Sequence, residues 1–176
     1  MIDVHILTRP EQNNVWFAEC LDSLKDEPVV LHILQGVKDH VGLGRIQGFS
    51  QGSCEWVSFV DPDDVVVPGI FSKVLEVIST NDVDAVFTEE IQVDADLKQL
   101  YPVRGFNTHH LMVFRRSLLT PLLDDLKDFP IKGDRYLATE FIKKHRAKPL
   151  HEVGYKWRIH ESNWHKRYRS LQNVVV

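Results

Sequence analysis

Three carboxylates stand within four residues at Asp61-Pro62-Asp63-Asp64, directly after the apolar run Trp56-Val57-Ser58-Phe59-Val60. Grouped at a strand end, they repel one another unless something positive meets them. A hard divalent ion such as Mg²⁺ or Mn²⁺ relieves that repulsion, because it prefers carboxylate oxygens. In open α/β sheets, ligands also bind in the crevice outside the carboxyl ends of the strands. The segment therefore reads as a metal and ligand site. A plain acidic turn needs one or two such residues, not three.

Other residues carry weaker chemistry. Asp134 precedes the helical stretch Tyr136–His145 and suits either a helix cap or a general base. His160 suits a ligand or an ordinary, partly buried histidine. His109 and His110 are neighbours, so on an extended chain they point to opposite faces and at most one lines a site. Trp157, Trp164 and Tyr168 are interleaved with Lys156, Arg158, Lys166, Arg167 and Arg169. That pattern fits a stacking and phosphate-binding surface, or a core strand followed by a solvated tail. The two cysteines, Cys20 and Cys54, make neither a disulfide framework nor a zinc site, which points to a reducing, cytoplasmic setting.

The elements that must hold these residues alternate in type. Val4–Leu7, Val29–Leu34, Trp56–Val60 and Asp84–Phe87 read as buried strands. Asn14–Leu24 and the Ile70–Ile78 stretch have helical apolar spacing, and a glycine-containing helix covers Leu43–Ser50. Further on, Leu111–Phe114 reads as a strand, Leu118–Leu126 and Tyr136–His145 as helices, and Trp157–Ile159 as a last strand. Strand and helix in turn predict an α/β domain on a mostly parallel mixed sheet.

With 176 residues, 43% hydrophobic and 26% charged, the chain suits one globular domain and excludes disordered and low-complexity classes. No apolar run reaches the roughly 20 residues of a membrane helix, and Met1–Leu7 lacks the basic start of a signal peptide. The net charge of −4 is unevenly spread. Residues 1–131 carry 10 Lys+Arg against 21 Asp+Glu, whereas residues 132–176 carry 11 against 4. A basic final quarter suits an anionic partner or a solvated face.

Five stretches, in order, carry a resemblance: VHILTRPEQNNVWFAECLDSL, GRIQGFSQGSCEWVSFVDPDDVVVPGIFSKVL, LMVFRRSLL, KGDRYLATEFIKK and the closing YKWRIHES. Together they resemble the family 2-like glycosyltransferases of GT-A fold, with a strand, a DxD or DxDD motif and a Pro-Gly helix start. The resemblance spans about residues 4 to 165. It implies a Rossmann-like nucleotide-diphospho-sugar transferase domain over 1–165, followed by a basic tail at 166–176. It also implies a nucleotide-diphosphate sugar donor, a UDP-sugar first among them, and Mn²⁺ or Mg²⁺ as cofactor. Transfer would go, with inversion, to an acceptor hydroxyl on a glycan or a modified DNA base.

Carried over by position, the resemblance makes Asp63 a metal ligand joined by His160, and Asp134 the catalytic base. Donor contacts fall on Thr8, Arg9, Pro10, Gln35, Arg45, Asp61 and Arg158. The chain departs from the family at three places. Gln35-Gly36 stands where an acidic residue is usual, Gly44-Arg45-Ile46 replaces an Arg-Asn pair, and Gly133 replaces the Glu of a Glu-Asp pair. Glycosyl transfer needs diphosphate neutralisation, a base and alignment of the two substrates, and these residue types can supply all three. Two other classes share features with the chain. A GT-A domain that binds without turnover fits Gly133 and Gln35, and the nucleophile loop of haloacid-dehalogenase-like phosphatases fits Asp61-x-Asp63.

Overall fold

The computed structural model describes residues 1–101 and 110–161. The tail 166–176, Trp164, His109 and Ser162 lie outside the described residues. The strands are β1 (Ile2–Thr8), β2 (Val29–Gln35), β3 (Trp56–Val60), β4 (Val65–Val66), β5 (Ala85–Val93), β6 (Met112–Arg115) and β7 (Ala147–Arg158). The helices are α1 (Asn14–Leu24), α2 (Val41–Phe49), α3 (Ile70–Thr80), α4 (Arg116–Leu119) and α5 (Gly133–Lys144), with a 3-10 helix over Thr120–Asp128.

One sheet holds all seven strands in the order β2-β1-β3-β6-β5-β7-β4. The long ladders, β1 with β2, β1 with β3 and β5 with β7, are parallel. β6 is antiparallel to both β3 and β5, so two reversals return β5 and β7 to the direction of β1. The carboxyl ends of β1, β2, β3, β5 and β7 therefore share one sheet edge. The start of β6 lies there too.

Alternation along the strands feeds two cores. Ile2, Val4, Ile6, Trp56 and Val60 pack with Leu24 of α1 and Phe71 and Val74 of α3. Val57, Phe59 and Phe114 face Phe49 of α2, Leu126 and Phe141 of α5. Each such large apolar side chain, fully buried, contributes roughly 1.5–3 kcal/mol. The glycines of α2 serve close packing: a Cβ on Gly42 would lie 2.1 Å from the Leu126 carbonyl oxygen, and one on Gly48 2.2 Å from the His5 ring.

Caps set where helices begin. Asn13 accepts from the Val15 and Trp16 N–H groups at the start of α1. The start of α3 is held from outside, by Glu27, whose carboxylate accepts from Gly69 and Phe71 N–H. The chain departs from the sequence expectation at its end: the last strand runs over Ala147–Arg158, not Trp157–Ile159 alone. The expected helix at 118–126 is instead α4 followed by the 3-10 segment, with Pro121 near its start.

Candidate active site

Strand ends at the shared edge build the site. The β1 end continues into Arg9 and Pro10, and the β2 end into Gln35-Gly36, tied back by the Gly36 N–H to the Thr8 carbonyl at 2.8 Å. The β3 end continues into Asp61–Asp64, closed as a turn by the Asp64 N–H to the Asp61 carbonyl at 3.2 Å. These segments line a cavity of about 740 Å³, which Arg45, His110, Asp134 and Trp157 complete. A smaller cavity of about 340 Å³ adjoins it at Asp63, between Trp16 and His160.

The three clustered carboxylates are each met differently. Asp61 accepts from the Arg45 guanidinium. Burial acts to raise its pKa, but Arg45 first, then His110 and Arg9, hold the carboxyl below the usual value. Asp63 Oδ2 lies 3.3 Å from Arg9 Nη2 and 2.9 Å from His160 Nε2. Asp64 is buried and accepts from the Arg158 backbone N–H at 2.7 Å. Burial, then the Asp63 and Asp61 charges, push its carboxyl well above the usual range. Arginine and a retained proton thus supply part of the relief that the sequence suggests for a cation alone.

Arg45 is almost wholly buried, its guanidinium 3.7 Å from the Phe59 ring centroid and its Nη1 3.5 Å from His5 Nε2. Its Nε has no hydrogen-bond partner among the described residues. Burial and the Arg45 charge depress the His5 pKa, so that imidazole is neutral and can accept from the guanidinium.

Asp134 sits in the first turn of α5, on the cavity wall, with Oδ1 accepting from the Arg135 N–H at 2.9 Å. The space at Gly133 is tight. A Cβ there would meet Leu126 Cδ2 at 3.1 Å and Phe129 Cβ at 3.4 Å.

Two expected contacts differ in the structure. The Arg158 guanidinium is not on the cavity wall. It is buried, pairs with Glu19 at 2.6 Å, donates to the Ala95 carbonyl at 2.9 Å and lies 5.0 Å from the Trp16 ring. Arg158 thus turns inward at the end of β7, and only its backbone serves the acidic turn. Thr8 likewise does not line the cavity, because its hydroxyl donates to the Leu34 carbonyl at 3.1 Å and braces β1 against β2. Arg9, Pro10, Gln35, Arg45 and Asp61 do line it.

His110 carries more than the sequence suggests. It is buried, its Nδ1 meets the buried Glu90 carboxylate, and its ring stacks on Tyr155 at 5.5 Å and 3°. Burial would lower its pKa, but Glu90, Asp61 and Asp134 outweigh burial and raise it. Glu90 lies 20 residues away, and no local pattern links the two.

Asp63 and His160, hydrogen-bonded to each other here, are the residues that could hold a divalent ion. Their facing atoms are 2.9 Å apart, whereas adjacent ligands on an octahedral ion with bonds of roughly 2.0–2.1 Å are about 3 Å apart. Among the described residues, no three His, Cys, Asp or Glu side chains gather into a ready cage. Ions of this kind take their remaining ligands from substrate phosphates and water. Nor is any helix among the described residues long and apolar enough to cross a membrane.

The fold is that of several solved structures. S. aureus TarS in complex with UDP-GlcNAc matches at a TM-score of 0.70 and 15% identity, over 92% of this chain and 59% of that one. S. aureus TarS in a second structure matches at 0.71 and 14%, over 98% of this chain and 38% of that one. The 4-diphosphocytidyl-2C-methyl-D-erythritol synthase of Anaerococcus prevotii matches at 0.60 and 13%, over 98% and 95%. This chain therefore spans about 59% and 38% of the two TarS chains. No curated protein matches it significantly. The model of the family described as glycosyl transferase family 2 matches residues 17–135, more than half the chain. With the GT-A arrangement of strand ends around the acidic turn, this match shows that the chain belongs to glycosyl transferase family 2.

Proposed function

We propose that the chain is the catalytic domain of a metal-dependent, inverting glycosyltransferase that takes a sugar from a nucleotide diphosphate, a UDP-sugar first, to an acceptor hydroxyl. One observation carries this reading. A single cavity brings the β1, β2 and β3 ends, the acidic turn and Asp134 together. Membership of the family supports it, as does the UDP-GlcNAc bound by TarS.

Arg9, Pro10 and Gln35 would hold the nucleotide between the β1 and β2 ends. Asp63 and His160 would hold Mn²⁺ or Mg²⁺ against the diphosphate, with Arg9 beside them. The ion, when bound, neutralises charge on the departing diphosphate as a Lewis acid. Asp61, fixed by Arg45, orients the donor. Asp134 takes the proton from the acceptor hydroxyl as its oxygen attacks the anomeric carbon. The carbon–diphosphate bond breaks on the opposite face, so a single displacement inverts the centre. Lys38, Lys132 and Arg135 line the cavity together with Asp39 and Glu11, and the acceptor is a glycan or a modified DNA base. Unpaired Cys20 and Cys54 suit a cytoplasmic setting.

The test is a panel of UDP-, GDP- and CDP-sugars with Mn²⁺, scored for slow donor hydrolysis and for binding by calorimetry. Hydrolysis of one nucleotide sugar, lost with EDTA, is the expected result. Binding without any turnover would make the chain a binding module. Phosphate release from simple phosphomonoesters would replace the reading with a phosphatase.

A further inference from the structure

Strand order sets which groups a bound donor meets in turn. Along the sheet edge, the β2 and β1 ends come first, then the β3 end with its acidic turn, then the start of β6. His110 stands just before β6 and lines the same cavity as Asp61, Asp63 and Asp134. With the nucleotide at β2 and β1 and the diphosphate at Asp63, the sugar reaches the wall beside β6. We propose that His110, backed by Glu90, binds a hydroxyl of the transferred sugar and so selects the donor. This rests on the nucleotide-sugar reading of the cavity.

The ring is held on several sides. Nδ1 is tied to the Glu90 carboxylate, one face stacks on Tyr155, and Trp157 packs at 4.7 Å and 38°. Tyr155 is anchored in turn, its hydroxyl oxygen accepting from the Asp61 N–H at 3.0 Å. A charge as buried as that of Glu90, 3% exposed, persists only when paired. The same pairing fixes the imidazole's orientation. Glu90, Asp61 and Asp134 raise the His110 pKa against its burial, which favours a ring with hydrogens on both nitrogens. Nε2–H is then a charged donor suited to a hydroxyl oxygen. A site built around such a bond rejects analogues that lack the hydroxyl, because the buried donor loses its partner.

The experiment compares matched probes by calorimetry with Mn²⁺: UDP with UDP-GlcNAc, GDP with GDP-mannose, and 3-, 4- and 6-deoxy analogues of both sugars. The variants are His110→Asn, His110→Gln and Glu90→Gln. Asn places its amide near the Nδ1 position and can keep the Glu90 contact, whereas Gln places it near Nε2. Wild type is expected to prefer an intact donor over one deoxy analogue by about 10–100-fold, the worth of a hydrogen bond to a charged group. His110→Asn should erase that preference and His110→Gln should keep part of it. Glu90→Gln should weaken it. All three should bind the sugar-free diphosphate within about twofold of wild type, which also reports that they fold. Equal behaviour of the Asn and Gln variants, loss of diphosphate binding in them, or a wild type indifferent to every deoxy analogue would overturn the proposal. If neither UDP nor GDP binds wild type, the nucleotide reading itself fails in the sugar-free arm, and the proposal falls with it.

Discussion

Replacing Asp134 by Asn changes little besides its capacity to take a proton. Among the described residues its side chain takes one hydrogen bond, a local one from the Arg135 N–H at 2.9 Å, and the Asn side-chain oxygen can accept it equally. The lost negative charge lies in the first turn of α5, where it contributes about 0.3–1 kcal/mol through the helix dipole. The variant should therefore fold, with a small fall in denaturation midpoint. It should also bind the nucleoside diphosphate as wild type does, because Asp63, His160 and Arg9 are untouched. Transfer should fall by roughly 10²–10⁴-fold, the usual worth of a general base, equivalent to about 2.7–5.4 kcal/mol of barrier. Stability loss cannot mimic that split between binding and turnover. The assay is single-turnover transfer from the donor the panel selects, with diphosphate affinity measured on the same preparation. Wild-type turnover in Asp134→Asn would reduce Asp134 to a helix cap and refute its role as the base.

The remaining predictions probe the other charges. Asp63→Ala, and EDTA applied to wild type, should each abolish transfer and weaken diphosphate binding together, and activity surviving both would remove the metal from the reaction. The raised Asp64 pKa means that the unfolded chain releases a proton the folded one keeps, so stability without metal should decline as pH rises through about 4 towards neutrality. Asp64→Asn should flatten that decline and be the more stable protein at pH 8; an unchanged urea profile would contradict it. Asp3 behaves oppositely: burial would raise its pKa, but hydrogen bonds from His32 and the Cys54 N–H outweigh burial and lower it. Its contribution, about 2 kcal/mol, should be present above pH about 4 and vanish as pH falls through the lower folded value. By chemical denaturation, Asp3→Asn should thus cost stability at pH 7 and progressively less as pH falls below about 4.

Where side-chain period alone decides an element, the sequence is readable. The Trp56–Val60 strand and the Asn14–Leu24 helix match the structure to the residue, because apolar spacing and an Asn cap agree there. β7 hides itself. Pro149, Gly154 and several charged residues interrupt any alternation, and its pairing with β5 shifts register around Glu89. Gly154 is needed not for a turn but for closeness, since a Cβ would lie 2.5 Å from Thr88 Oγ1. β7 matters for function because it carries His160 to Asp63. Arg158 and His160 stand two apart, a spacing that suggests one shared face, yet regular strand ends at Arg158. One side chain turns inward to Glu19 and the other reaches the acidic turn. Glu90 was not legible, because only the folded sheet brings it beside His110.

The division of labour within the acidic turn bears on what a cation could do there. Three adjacent carboxylates argue for an ion only while all three are charged and unanswered. In the fold Asp61 is answered by the buried Arg45, and Asp64 by burial that favours its proton. Asp63 is the one met by Arg9, with a side chain 35% exposed, and by His160, whose ring nitrogen could serve as a ligand. An ion arriving with the diphosphate would exchange places with Arg9, whose guanidinium could then turn to a phosphate oxygen. Metal and nucleotide would thus bind as one unit at Asp63, whereas Asp134 meets only the acceptor. Loss of Asp63 should for that reason remove binding and turnover together, and loss of the Asp134 carboxylate turnover alone.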